Sequence, residues 1–479
     1  MSKIEKEILS SFNKHRKFNN ILYSAPFSHK FLCNAPFSSI QICIDGTISP
    51  CCYNVRSDRS MMDCYPEKSL SQIWDGEIFS SYRKYIRQNE LPIACEICEK
   101  AIRNGEYDSV KINQYDCLKV SRFRKNKPRL IEMTLSNNCN LECIMCNGTL
   151  SSSIRANREK RPPSKSIFGQ EFRKELSKLI PDLQEMVFAG GEPFLNPLYY
   201  DIWEDAIRLN PKCYLSVVTN GTILNDRIKS LLERGNFKIN LSFDAMTKET
   251  YESIRVNAKF EETMANMKYF GDTLARQGKR LHIPICPLRA NRYELPDLVR
   301  FCNDNKYSLN FGNVYGAEDI ALYSMPISDL KELKEFYSRQ TFKKTSWSSN
   351  WNIMEFRELT KRIDQWINAQ EKKNEEKEHY LDNLDLGKDK IEEYKNIVLK
   401  KSIMGLKSLG YNEEESNAIT IDAINRFENT LYSMPDYFNS NHLYKNLSAI
   451  SPYSIAEYLI GNGQTTTDES TIEKLFFNK

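Results

Sequence analysis

The chain has 479 residues, 41% hydrophobic and 27% charged, with a net charge of +4. That length allows two or three domains with a large core, and so mild a positive balance gives no ground for a nucleic-acid partner. No apolar run approaches the ~20 residues that span a bilayer, and MSKIEKEILSSFNKHRKFNN lacks the apolar core of a signal peptide, so a cytoplasmic protein with no membrane partner is expected.

Residues 1–125 are rich in cysteine, with turn signals in FSSIQICIDGTISPCC and one helix expected over SLSQIWDGEIFSSYRKYIRQ. From 126 to 325, strand and helix patterns alternate. LIEMTLS, EMVFA, CYLSVVT, FKINLSF, LHIPIC and YSLNFGN read as strands. QEFRKELSKLI, PLYYDIWEDAIRL, NDRIKSLLERG, FEETMANMKYFGDTLARQ and YELPDLVRFCND read as the helices between them. About six β/α units in series imply a parallel sheet of the α/β class, a partial (β/α)6 TIM-like barrel with its site at the carboxyl ends of the strands. Residues 326–479 read as mainly helical, including SDLKELKEFYSRQ and NAITIDAINRFENTLYSM; the polar segment EKKNEEKEHYLDNLDLGKDKIEEYK reads as a solvated helix or a link.

Fourteen cysteines in a cytoplasmic chain are not there for disulfides. Cys213 and Cys302 stand alone and read as small apolar core residues, and Cys286, after LHIPI, reads as buried packing with a cavity-facing role as the alternative. Cys139, Cys143 and Cys146 form a C-x3-C-x2-C trio at the end of the first barrel strand. Iron–sulfur clusters normally take four thiolates, so a trio suits a cluster with one iron left open for chemistry. Zinc held by the trio and one distant ligand is the alternative.

CNLECIMC resembles the cysteine signature of radical S-adenosylmethionine (SAM) enzymes. FAGGEPFLNP resembles their GGEP motif, VVTNGT their strand-end TNG, and LSFDAMTKETYESIR a further segment of theirs, all in the same order. The resemblance implies a [4Fe–4S] cluster on Cys139, Cys143 and Cys146, with SAM chelating the open iron. It implies reductive cleavage of SAM and hydrogen abstraction from a substrate by the 5′-deoxyadenosyl radical. Gly190 and Gly191 are then expected to let the backbone approach SAM, with Pro193 fixing the turn. Glu192 is expected to pair with the methionine ammonium, and Arg255 with the carboxylate. Asn220, Ser242 and Asp244 are expected to hydrogen-bond ribose or carboxylate, with turn geometry for Asn220 and helix capping for Ser242 and Asp244 as the alternatives. Many members carry an aromatic residue directly before the third cysteine, where this chain has Met145.

CNAPFSSIQICIDGTISPCC and the later PIACEIC resemble the SPASM or twitch domains that hold auxiliary iron–sulfur clusters. The resemblance implies one auxiliary [4Fe–4S] cluster on Cys33, Cys51, Cys95 and Cys98, with Cys52 and Cys117 in reserve. A structural zinc held by four cysteines is the alternative.

The expected function is radical modification of a peptide or protein, by an oxidoreductase-type reaction fed by an electron donor such as flavodoxin or ferredoxin. A small-molecule substrate (a sugar, a nucleoside, an amino-acid derivative) is the second possibility. RNA is disfavoured: the cations Arg122, Arg124, Lys125, Lys127 and Arg129 fit a solvated face more simply. A non-catalytic iron–sulfur redox sensor is the remaining class. No catalytic acid, base or hydrogen-atom donor is identifiable.

Overall fold

The computed structural model describes residues 8, 10–14 and 31–421, with gaps at 55–60, 106, 108, 109, 119, 121–125, 313, 315–317, 384–387, 409–411, 418 and 419. NAITIDAINRFENTLYSM falls almost wholly outside the described residues, as do Arg122, Arg124 and Lys125. The chain divides into two compact units, residues 1–313 with 342–356, and residues 314–341 with 357–479.

The first unit is built on one nine-stranded sheet in the order β3-β2-β1-β4-β5-β6-β7-β8-β9. The strands β4 (Leu130–Thr134), β5 (Glu185–Ala189), β6 (Tyr214–Thr219), β7 (Phe237–Leu241), β8 (His282–Ile285) and β9 (Ser308–Phe311) are the six expected from the alternating pattern. Each runs parallel to the next. Alternation sorts their side chains between two faces. Met133, Phe188, Val217 and Ile239 lie in one register across four strands and are all buried. The helix Pro197–Leu209 covers that face with Trp203, whose ring lies 5.5 Å from Phe188. The Tyr199 hydroxyl of this helix accepts from the Leu135 N–H at 3.0 Å, and lies 3.1 Å from the Met133 carbonyl and 3.0 Å from that of Ala189. It thereby pins together the ends of β4 and β5, where the candidate site begins.

The N-terminal region joins the same sheet. β1 (Ser39–Ile42) pairs parallel to β4, while β2 (Thr47–Ser49) and β3 (Asp63–Cys64) continue antiparallel beyond it. Gly46, at φ +86°, makes the β1–β2 turn; a Cβ there would stand 2.2 Å from the Tyr65 carbonyl oxygen. The helix expected over residues 69–88 is two helices, Leu70–Asp75 and Glu77–Arg87. Ser69 and Gln72 form a capping box that starts the first. Gly76, in extended backbone, ends the first and begins the second.

In the second unit, the helix Ile327–Ser338 buries Leu330, Leu333 and Tyr337. Lys331 pairs with Glu371 at 2.7 Å, and Lys334 with Asp364, on the helix Trp347–Asn383. Among the described residues no helix is long and apolar enough to cross a membrane. Of the basic group before β4, Lys127 pairs with the Asp182 carboxylate at 2.6 Å, and Arg129 donates to the Asp182 carbonyl at 2.7 Å.

Candidate active site and auxiliary metal centre

The cysteine trio occupies the loop after β4, and the surrounding chain fixes that loop by its backbone. Glu142 N–H donates to the Val256 carbonyl and Ile144 N–H to that of Ile254, each at 3.0 Å, so the loop is zipped to the segment carrying Arg255. Ser151 donates to the Leu141 carbonyl at 2.7 Å, and Ser153 to that of Cys139 at 2.8 Å. The sulfurs receive donors from the same neighbours. Leu141 N–H lies 3.5 Å from Cys139 Sγ, Asn220 Nδ2 3.9 Å from Cys139 Sγ, and Arg255 Nη1 3.9 Å from Cys143 Sγ. Burial pushes all three thiols up, Cys146 to about 11, and Cys143 raises both of its partners further. Three mutually repelling, half-buried thiols surrounded by N–H donors suit a cationic iron cluster that keeps them deprotonated.

The GGEP turn packs directly under this loop. Gly191 N–H donates to the Ser136 carbonyl at 3.0 Å and Glu192 N–H to that of Asn138 at 2.6 Å. A Cβ on Gly190 would stand 2.7 Å from the Ser136 oxygen, and one on Gly191 2.2 Å from the Asn138 oxygen. The close approach that needs glycine is thus to the chain's own backbone just before Cys139. Glu192 is buried; its carboxylate accepts from Phe194 N–H at 3.0 Å, Thr219 Oγ1 at 2.8 Å and Asn220 N–H at 2.7 Å. Burial raises its carboxyl to about 7, against those three donors and Arg255.

Asn220 is both a turn residue and a brace. Its Oδ1 accepts from Thr222 N–H at 3.0 Å and Thr222 Oγ1 at 2.7 Å, while Gly221 takes φ +75°. Its Nδ2 donates to Asn140 Oδ1 at 3.0 Å, tying the loop after β6 to the cysteine loop. Ser242, half-buried, is held by its backbone, its N–H donating to the Thr219 carbonyl at 2.9 Å. Asp244 is fully buried and its carboxylate is engaged inside the protein. Oδ1 accepts from Cys286 N–H at 2.7 Å, and Oδ2 lies 2.7 Å from Arg255 Nη2, an ion pair without hydrogen-bond alignment. Neither caps the helix Lys248–Ile254. Thr247 does so, with Glu294 accepting from Met246 and Thr247 N–H at 2.7 and 2.9 Å. Arg255 is buried, and its Nε has no hydrogen-bond partner among the described residues. Cys286, half-buried at the end of β8, feels Cys143 and Cys146 across the site; burial first, then Asp244, raises its thiol to about 12. Cys213 and Cys302 are buried, as lone apolar cysteines should be.

A second cysteine group surrounds a cavity in the N-terminal region. Cys33, Cys51, Cys95 and Cys98 line it together with Asn54 and Lys111. Each sulfur again has an N–H neighbour: Ala35 N–H at 3.4 Å from Cys33, Tyr53 N–H at 3.3 Å from Cys51, and Asn54 Nδ2 at 3.6 Å from Cys95. Backbone N–H groups of Lys111 and Ile112 point at Cys98. Burial raises Cys95 to about 12. These four thiols stand around the wall of one cavity. Cys52 lies outside the wall, beside Cys51 and Lys111, and a hydrogen bond from Cys51 lowers its thiol to about 7. Cys117 is exposed and also outside it.

The sheet's inner face holds polar groups that the strand-by-strand pattern did not single out. His282 has its ring nitrogens 2.9 Å from Ser308 Oγ and 2.7 Å from Asn310 Oδ1, and Asn240 donates to Ser216 Oγ at 3.0 Å. Glu132 of β4 shares this wall beside Gln41 of β1, whose buried Oε1 has no hydrogen-bond partner among the described residues. The polar residue at every second position of β7 and β9, with His282 opening β8, was the available signal.

Residues 133–285 match the family model described as the radical SAM superfamily, and residues 33–99 match the SPASM model, an iron–sulfur cluster-binding domain. Among curated proteins, an AdoMet-dependent heme synthase of Methanosarcina barkeri is 32% identical over 147 residues, 30% of this chain and 39% of the relative. A probable GTP 3′,8-cyclase of Methanocaldococcus jannaschii is 25% identical over 183 residues, 37% of this chain and 55% of the relative. The chain therefore spans between about two-fifths and just over half the length of these relatives. Among solved structures, Streptococcus suis SuiB bound to S-adenosylmethionine aligns at 18% identity and a TM-score of 0.35, over 54% of this chain and 62% of that one. The chain thus carries a radical SAM domain at residues 133–285 and, N-terminal to it, a SPASM domain at residues 33–99, the domains of a SAM-binding [4Fe–4S] cluster and of an auxiliary iron–sulfur cluster.

Proposed function

We propose that the protein is a radical SAM enzyme that modifies a peptide or protein by hydrogen abstraction. The observation that carries this is the pairing of the two cysteine groups in one sheet: the trio follows β4, and the four-cysteine cavity belongs to the region whose strand β1 pairs with β4. When bound, the cluster and SAM supply one-electron cleavage of the sulfonium and abstraction of a substrate hydrogen atom.

Cys139, Cys143 and Cys146 are the residues that hold the first cluster. Gly190 and Gly191 set the turn that carries Glu192, whose buried carboxylate is offered to the SAM ammonium. The Arg255 Nε, without a hydrogen-bond partner among the described residues, is offered to the SAM carboxylate. Asn220 holds the cysteine loop in place, and Asp244 acts through Arg255. Ser242 stays a candidate for the ribose. Cys33, Cys51, Cys95 and Cys98 hold the auxiliary cluster. The polar inner wall around Glu132, Asn240, His282 and Asn310 suits a substrate rich in hydrogen-bonding groups, such as a peptide backbone. The electron enters from a small donor protein of the flavodoxin or ferredoxin kind.

A small-molecule substrate is the second reading, favoured by relatives named for GTP cyclisation and heme synthesis. The test is to supply the reduced protein and SAM with short peptides encoded beside its gene, and separately with nucleotides. A peptide that loses hydrogen mass in step with 5′-deoxyadenosine release supports the peptide reading. Turnover of a nucleotide, with the peptides returned unchanged, overturns it.

A further inference from the structure

Arg255 reaches further than a SAM contact requires. Its Nη1 lies 3.9 Å from Cys143 Sγ, its Nη2 lies 2.7 Å from Asp244 Oδ2, and its Nε has no hydrogen-bond partner among the described residues. The guanidinium and the carboxylate are both buried, at 7% and 0% exposure, so their charges act through little water. Asp244 is itself immobilised. Its Oδ1 accepts from Cys286 N–H at 2.7 Å, its carbonyl accepts from Asn291 Nδ2 at 2.7 Å, and that same amide lies 2.9 Å from the Cys286 carbonyl. A chain of fixed contacts therefore runs from the ends of β7 and β8 to one sulfur of the trio. The donors at Cys139 are neutral, Leu141 N–H, Asn220 Nδ2 and the Ser151 hydroxyl, and Cys146 donates its own thiol to the Asn147 carbonyl at 3.6 Å, with the Arg158 guanidinium held on its carbonyl and not on its sulfur. Among the described residues two guanidinium groups act on the trio, Arg158 from the Glu142 and Cys146 carbonyls and Arg255 directly on the Cys143 sulfur.

We propose that Arg255 is a positioning residue for the iron–sulfur cluster: aimed by Asp244, it places positive charge on the Cys143 sulfur and holds up the cluster's reduction potential. This rests on the trio being the ligands of the SAM-binding cluster. Hydrogen bonds to the sulfurs and net local charge are the protein's levers on such a potential. The couple concerned is the one-electron reduction of the cluster, with the electron coming from the external donor. Reduction adds negative charge beside Arg255, which favours it; Asp244, one guanidinium further away, tempers that effect.

The two partners therefore have opposite signs. The test is an anaerobic redox titration of the full-length, iron-loaded protein, following the electron paramagnetic resonance signal that SAM perturbs. R255Q removes the positive charge and uncovers Asp244, so its midpoint shifts to more negative potential. D244N leaves the guanidinium uncompensated and shifts the midpoint to more positive potential. R255K keeps a charge but not the fork, and falls between R255Q and wild type. If R255Q fails to retain iron, D244N and R255K carry the test. Unchanged midpoints with weaker SAM binding overturn the proposal, as does a shift of R255Q and D244N in the same direction. No SAM-perturbed signal in the wild type means instead that the ligand assignment itself has failed.

Discussion

Asn220 donates its side-chain amide to Asn140 Oδ1 at 3.0 Å, and this bond joins the loop after β6 to the loop that carries the cysteine trio. Asn140 returns the contact, its Nδ2 donating to Thr222 Oγ1 at 2.9 Å. The two loops are 80 residues apart in sequence, and Asn220 is buried where they meet. N220A removes the bond to Asn140 and leaves Thr222 N–H without its acceptor. At about 1 kcal/mol for each lost bond, with more for a donor left buried, the metal-free protein should lose about 2–3 kcal/mol. Urea unfolding measures this, and iron retention by the trio should fall with it.

The glycines of the GGEP turn offer a sharper contrast. G191A sets a methyl 2.2 Å from the Asn138 carbonyl oxygen, and G190A forces an L-residue to φ +113°. Each should cost about 1–3 kcal/mol, through overpacking or backbone strain. G312A, whose Cβ meets the Ile285 oxygen at an ordinary 3.7 Å, should change stability by no more than about 0.5 kcal/mol. Thermal unfolding of the three variants decides the matter. Equal stability would show that those glycines serve only an approach to SAM.

Glu192 should make SAM binding depend on pH. Its folded pKa of about 7 lies above the ordinary value of about 4.3. The folded protein therefore holds a proton that the unfolded chain has lost. Its burial destabilises the SAM-free fold increasingly as pH rises from about 4 to 7, and by a constant amount above that. The SAM ammonium prefers the ionised carboxylate, so affinity should rise on the order of tenfold between pH 6 and 8. E192Q should bind weakly with a flat profile. Anaerobic calorimetry across that range tests it, and a flat wild-type profile would contradict the pairing.

In the auxiliary site, C98A should lose one cluster and C52A should not. Wild type should carry about eight irons, C98A about four, and C52A about eight, since each [4Fe–4S] cluster contains four. Retained zinc in the wild type, with about four irons in total, would make the cavity a structural zinc site.

The six parallel strands were legible because short apolar strand patterns recur in series between helical ones, and the two cysteine groups because ligand spacing is local. Neighbouring Cys51 and Cys52 could not be told apart by spacing; the cavity takes Cys51 because the turn after β2 brings Tyr53 N–H onto its sulfur. The break at Gly76 was hidden inside an apolar pattern that continues through it. That β1 would pair with β4 was not legible, since parallel partners about 90 residues apart leave no local trace. The contacts that hold Asp244 belong to the same class: Cys286 and Arg255 reach it from other elements, which no local motif encodes.

The most direct measurement is 5′-deoxyadenosine formed from SAM by the anaerobic, iron-loaded and chemically reduced protein, compared with a C139A/C143A/C146A variant. The account predicts reductant-dependent 5′-deoxyadenosine and methionine from the wild type and none from the variant, which should still hold its auxiliary iron. Equal cleavage by both proteins, or none by a wild type carrying both clusters, would contradict it.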